Sequence, residues 1–198
     1  MNSLSLIKNT FNESIQTKID TADALPEIVA NAGDLITQAL IQGKKLLVCG
    51  EGSNAALAQV FTTLLLHRVS IERPSLPVIC LSDNLSLYSA INKDTSSNEV
   101  FARQVRALGD SGDVLLTVSQ DGESFACSQA IRAGLNKDML IISLTGDSGG
   151  EIAGLTGPDD VEIRVPSSNH LKVSEVQLMI LNSLAYLVDF NLFGDTGG

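Results

Sequence analysis

The chain has no tryptophan, only two tyrosines, and 4% aromatic residues in all. That excludes an aromatic platform for stacking single-stranded bases. Basic residues are scarce too: 13 Lys and Arg stand against 23 Asp and Glu, for a net charge of −10. A direct nucleic-acid or anionic-membrane footprint needs the opposite balance. Three cysteines, Cys49, Cys80 and Cys127, lie far apart with no CxxC spacing. Cys49 and Cys80 sit in apolar runs, so all three read as reduced core thiols of a cytoplasmic protein. No apolar stretch reaches 18 residues, so no membrane span is expected. Residues 1–10 carry one Lys and no long apolar segment, unlike a secretory signal.

What is present is apolar and regular. The 198 residues are 44% hydrophobic and 18% charged, with a mean hydropathy of +0.20. Disorder requires the reverse, and a chain of this length buries a substantial core unaided. Leu4, Ile7, Phe11, Ile15 and Ile19 recur at helical spacing. Pro26 opens a second helix, which runs to about Ile41 and is closed by Gly43. Short apolar strands are expected at Lys45–Cys49, Leu76–Leu81, Asp113–Val118, Met139–Leu144 and Val161–Val165. Helical segments separate them: an Ala-rich one to His67, a short one within 82–98, then Glu99–Leu108, one ending near Leu135, and a last one over about Ser168–Phe193.

Five apolar runs alternating with helices predict an α/β three-layer sandwich with a five-stranded parallel sheet, flavodoxin-like, plus N-terminal helices. No internal repeat or domain boundary is visible. The expected organisation is a single domain over 1–198. Within it, 1–42 are helices packing in an oligomer, 43–193 the core and last helix, and 194–198 a flexible tail.

In open parallel sheets, ligands bind beyond the C-terminal strand ends, where helix N-termini offer N–H groups to anions. Two loops fall there: Gly50-Glu51-Gly52-Ser53-Asn54 and Ser119-Gln120-Asp121-Gly122-Glu123-Ser124. Neither is a dinucleotide or P-loop motif, since Ala55 fills the third glycine position and no Gly-Lys-Ser/Thr follows. Each alone is compatible with ordinary strand-to-helix turn chemistry.

Leu47–Gly52 (LVCGEG), Glu72–Pro77 (ERPSLP), Phe101–Ser119, Ser143–Gly154 (SLTGDSGGEIAG) and Asp160–Pro166 (DVEIRVP) together resemble a sugar isomerase (SIS) domain of the phosphoheptose isomerase branch. Phe11–Lys18, Ala24-Leu25-Pro26, Arg103–Gly109 and Asn191-Leu192-Phe193 further resemble the DiaA group, the DnaA initiator-associating proteins.

Phosphoheptose isomerases carry a zinc site whose positions correspond here to Val60, Leu64, Ser174 and Asn182. Zinc needs nitrogen, sulfur or carboxylate donors, so no metal and no cofactor are expected. Leu64 and Asn182 also stand where the family has its acid/base pair, so no catalytic residue is expected either. The only histidines, His67 and His170, fall on no ligand position.

The family's phosphate loop resembles Ser-Thr-Ser-Gly-Asn-Ser. Here Ser119, Gly122 and Ser124 remain, while Asp121 and Glu123 add charge. Like charges about 5 Å apart cost roughly 3 kcal/mol at an effective dielectric near 20. A helix N-terminus returns about 0.3–1 kcal/mol, at most about 2. Repulsion of a phosphate follows if either carboxylate points inward; a helix-capping role is the other possibility.

The resemblance therefore implies a non-catalytic, cytoplasmic homotetramer. It would bind the replication initiator DnaA through Leu192 and Phe193 and promote initiator assembly at the origin, without touching nucleic acid or membrane itself. Ser53, Asn54, Ser119, Gly122 and Ser124 would be a vestigial phosphosugar site. The alternatives are a phosphosugar-binding protein and a working isomerase for sedoheptulose 7-phosphate.

Overall fold

The computed structural model describes residues 2–194; the tail expected at 194–198 lies, past Gly194, outside them. Five parallel strands form one sheet in the order β2-β1-β3-β4-β5: β1 (Leu46–Gly50), β2 (Val78–Cys80), β3 (Val114–Val118), β4 (Leu140–Thr145) and β5 (Val161–Arg164). Eight α-helices accompany them among the described residues: α1 (Ser3–Ala24), α2 (Pro26–Ile41), α3 (Ser53–Leu66), α4 (Leu85–Asp94), α5 (Val100–Leu108), α6 (Phe125–Leu135), α7 (Gly150–Ala153) and α8 (His170–Phe193).

Side chains alternate across a strand, and the strands divide on that rule. Leu46, Val48, Leu116, Val118 and Ile142 face a core shared with α2, α3 and α8. Leu47, Cys49, Leu115 and Ile141 face the other core, filled by α5 and α6. Both faces are covered, which is why the strands are almost uninterruptedly apolar.

The second strand is shorter than expected. Leu76 and Pro77 precede it, and Pro77 contributes only its carbonyl, accepting from Leu46 N–H at 3.0 Å. Gly43 sits just past the end of α2 with φ +74°, the left-handed geometry that closes a helix. Helix α8 is long and apolar enough to cross a bilayer by length and composition. Its Val173, Val176, Ile180, Leu181, Leu184 and Val188 are buried instead in the core beneath the sheet.

Helix α1 packs on its own chain through small polar residues. Its buried residues are Ser14, Thr17 and Thr21. Ser14 Oγ donates to the Glu175 carboxylate of α8, and Lys18 approaches the same carboxylate at 3.3 Å. These contacts hold the Glu175 carboxyl below the usual carboxylate range. The stripe Leu4, Ile7, Phe11, Ile15 and Ile19 is exposed on this chain.

The three cysteines are free and buried. Burial is the main cause that pushes Cys80 up from an ordinary 9.0 to about 11. The neighbouring Cys127 thiol, then burial, raise Cys49 as well. A thiol reagent is therefore expected to leave the native protein unmodified at pH 8 and to count three thiols in denaturant. Because the raised thiols favour the protonated folded state, their contribution is present below pH 9. For Cys80 it fades as pH climbs from 9.0 towards 11. Rapid labelling of the folded protein at pH 8 would contradict this.

Candidate functional site

The two loops singled out in the sequence meet at the C-terminal edge of the sheet, after β1 and β3. Neighbouring strands β1 and β3 pair from Leu46↔Val114 through Gly50↔Val118, so their ends are level. Gly50 permits the first loop to close on α3: a Cβ there would lie 2.7 Å from the Asn54 carbonyl oxygen. Gly122 turns the second loop at φ +77°, and a Cβ there would lie 2.0 Å from the Gly149 carbonyl oxygen. The loops are thus held in place by backbone packing that side chains larger than hydrogen would break.

Cross-links join them. Gln120 Nε2 donates to Ser53 Oγ at 3.1 Å and also to Ser174 Oγ on α8. Ser124 Oγ donates to the Glu51 carboxylate while accepting from Cys127 N–H at 3.2 Å, so it also caps α6. Ser119 Oγ accepts Gly122 N–H at 3.0 Å. Gln177, fully buried on α8, donates to the Ser119 carbonyl at 2.7 Å and fixes the loop from below. All five residues expected to form a sugar-phosphate site therefore belong to one cluster.

Asn54 is 8% exposed, and its Oδ1 has no hydrogen-bond partner. An orphaned buried acceptor is costly, and a ligand hydroxyl would satisfy it. No side chain caps α3, whose cap position is Gly52 at φ 57°. Its Asn54 and Ala55 N–H groups bond instead to the Glu51 and Gly52 carbonyls, at 3.0 and 3.2 Å. A cavity of about 200 Å³ opens beside Glu51, lined also by Gly52, Ala55, Ser82, Tyr88 and Phe101. A larger one, about 390 Å³ between α1, α2 and α8, has an apolar lining with no titratable group.

The acidic residues of the second loop divide. Asp121 Oδ1 accepts from Glu123 N–H at 3.0 Å and Ser119 Oγ at 3.3 Å, while Glu123 is exposed. Neither takes the expected helix-capping role, which falls to Ser124; Asp121 bonds within its own loop. Sequence reasoning missed the tethering role of Gln120 and read Glu51 only as standing in for the family's asparagine and weakening sugar-phosphate binding. A carboxylate at the end of the first strand was the available signal for the latter.

The positions corresponding to the family's zinc ligands do not fit a metal. Val60 and Leu64 on α3 offer only carbon. Ser174 is already bonded to Gln120, and Asn182 is exposed eight residues further along α8. That is about 12 Å along the helix axis, too far for two short side chains to converge. Among the described residues no group of three or more His, Cys, Asp or Glu side chains is placed to hold an ion. His67 and His170 are both exposed, at the end of α3 and the start of α8.

Comparison with known proteins decides the family. The SIS domain model matches residues 10–146. A phosphoheptose isomerase of Pseudoalteromonas atlantica is 49% identical over 98% of this chain and 98% of its own length. The chain belongs to the phosphoheptose isomerase branch of the SIS family. Among solved structures, a phosphoheptose isomerase from Francisella tularensis superposes with a TM-score of 0.93 at 39% identity, covering 96% of this chain and 99% of that one. One from Neisseria gonorrhoeae gives 0.90 at 32% identity, covering 95% and 99%.

These findings overturn the reading of the chain as a non-catalytic DnaA partner acting in replication. Relatives matched end to end carry an enzyme's name, and the finer likeness to the DiaA group does not stand against them. The anchor role given to Leu192 and Phe193 falls with that partner. Leu192 packs against the core, while Phe193 is exposed, its ring 6.0 Å from the Arg73 guanidinium. Arg73 is itself locked to Asp189 at 2.7 Å.

Proposed function

We propose that the chain, a single SIS domain over 1–198, binds a sugar phosphate across the ends of β1 and β3. On this reading it isomerises a phosphoheptose, as the name of its relatives states, interconverting a 2-ketose phosphate and its aldose isomer. Sedoheptulose 7-phosphate is the first substrate to test. The observation that carries this reading is the joined pair of loops, in which Ser119, Gly122 and Ser124 open α6 beside the orphaned acceptor of Asn54. A helix N-terminus suits the phosphate, and Asn54 suits a sugar hydroxyl.

The reaction needs one proton moved between adjacent carbons and one between adjacent oxygens. A base takes a proton from C1 of the ketose, and the C1–H electrons become the C1=C2 bond of an enediol as O2 gains a proton. O1 then gives up its proton as the C1 carbonyl forms, and the protonated base, after exchange with solvent, delivers a proton to C2. Glu51 is the carboxylate placed for this role, partly buried, steadied by Ser124 Oγ and facing the 200 Å³ cavity. Tyr88 borders the same cavity.

The three buried thiols support a cytoplasmic setting. Thermal denaturation tests the binding. Sedoheptulose 7-phosphate at about 100 times its dissociation constant adds about 2.7 kcal/mol. That raises the melting temperature by about 5–10 °C for a chain of this size. Unphosphorylated sedoheptulose should give a much smaller shift at equal concentration. Equal shifts from the two sugars, or none from either, would contradict the proposal.

A further inference from the structure

We infer that Asp121 occupies the phosphate cradle as a built-in competitor, and that a sugar phosphate enters by displacing its carboxylate. This rests on the site proposed above. A phosphate entering the second loop would seek its hydroxyls and its backbone N–H groups. The chain's own acids already hold three of these donors. Asp121 takes Glu123 N–H at 3.0 Å and Ser119 Oγ at 3.3 Å, and Glu51 takes Ser124 Oγ. Carboxylate and phosphate oxygens are alike as acceptors of charge-assisted hydrogen bonds. Asp121 is therefore an anionic mimic tethered at high effective concentration.

The loop has little freedom to move away, because Gly122 is packed against Gly149 and Ile152 N–H bonds the Gly122 carbonyl at 3.1 Å. The side chain does have freedom, being neither fully buried nor paired with a cation. Among the described residues no Lys or Arg is bonded to the 119–124 loop; Arg132 and Arg164 are engaged by Glu151 and Glu162. Displaced, the Asp121 carboxylate stays within reach of the bound dianion and repels it. The orphaned Asn54 acceptor in the adjoining loop is independent of this arrangement and still calls for a hydroxyl-bearing ligand. The consequence is a site that admits a sugar phosphate but holds it weakly, with residue 121 setting the affinity for the phosphate end.

The test is calorimetric titration of the full chain with sedoheptulose 7-phosphate and, separately, with unphosphorylated sedoheptulose. Asp121→Asn keeps an acceptor for Glu123 N–H and removes the charge. Asp121→Ser also removes most of the side chain. Both should bind the phosphorylated sugar about tenfold tighter or better, since a like charge near the phosphate is gone. Neither should gain affinity for the unphosphorylated sugar. Glu123→Gln removes an equal charge from an exposed side chain and should gain far less. Unchanged or weaker phosphate-dependent binding in both Asp121 variants, with wild type binding normally, would overturn the role of Asp121 alone. An equal gain in Glu123→Gln would overturn it too, leaving only general charge. Failure of wild type and every variant to bind the phosphorylated sugar would defeat the site itself, and this inference with it. Melting temperatures near wild type would confirm that the variants fold.

Discussion

Asp189→Ala is expected to destabilise the protein by about 3–5 kcal/mol, the cost of breaking a buried ion pair from one side. Arg73 and Asp189 side chains are only 1% and 3% exposed and meet at 2.7 Å. The guanidinium also donates to the carbonyls of Leu64 at 2.9 Å, Leu65 at 2.8 Å and Pro74 at 3.0 Å. It therefore closes the C-terminal end of α3, where a cation suits the helix dipole, and ties that end to α8. Removing Asp189 leaves a buried cation facing carbonyls alone. At about 2–4 °C per kcal/mol for a chain of this size, the melting temperature should fall by roughly 10 °C. Asp189→Asn, which keeps an acceptor, should fall less. The double variant Arg73→Met, Asp189→Met should be less destabilised than the two single changes summed, because no charge is left behind. A loss below about 1 kcal/mol for Asp189→Ala would place the pair with weak surface bridges and contradict the account.

Glu51→Gln is expected to lower turnover by about 10²–10⁴-fold, the usual worth of a positioned general base. The amide keeps an oxygen to accept from Ser124 Oγ, so loop geometry should hold, and losing a carboxylate beside the phosphate loop should not weaken binding. The lost base should appear in kcat, with KM not raised. Glu51→Asp retracts the carboxylate by one methylene and should recover part of the rate. Full activity in Glu51→Gln would place the base elsewhere, while lost binding would make Glu51 a structural link between the loops.

Much of this was legible in the chain. The five strands appear as apolar runs because a parallel sheet is buried on both faces. Pro26 and Gly43 mark helix α2 because each suits one end. The α1 contacts were not legible. A hydrophobic period selects Leu4 through Ile19, but this chain buries Ser14, Thr17 and Thr21, whose small polar side chains leave no apolar signal. Helix α7 was missed because four residues beginning at a glycine carry no period. It is set by tertiary contact, with Ile152 buried and its N–H bonded to Gly122. The site loops were found by their place after strands, and all five expected residues converge. The inward turn of Asp121 and the Arg73–Asp189 pair depend on side-chain direction and on contact across 116 positions, which spacing does not encode. The error about function had a specific source. Val60 and Leu64 offer zinc only carbon, but lost ligands were taken as lost activity, and Glu51 was read only as a replacement that weakens sugar-phosphate binding.

The most direct test is to incubate the purified chain with sedoheptulose 7-phosphate in deuterium oxide and follow it by proton and phosphorus NMR. The account predicts an aldoheptose 7-phosphate carrying solvent deuterium at C2, formed at a rate that depends on Glu51. Sedoheptulose 7-phosphate recovered unchanged, with no deuterium at C1 after many hours at high protein concentration, would contradict it.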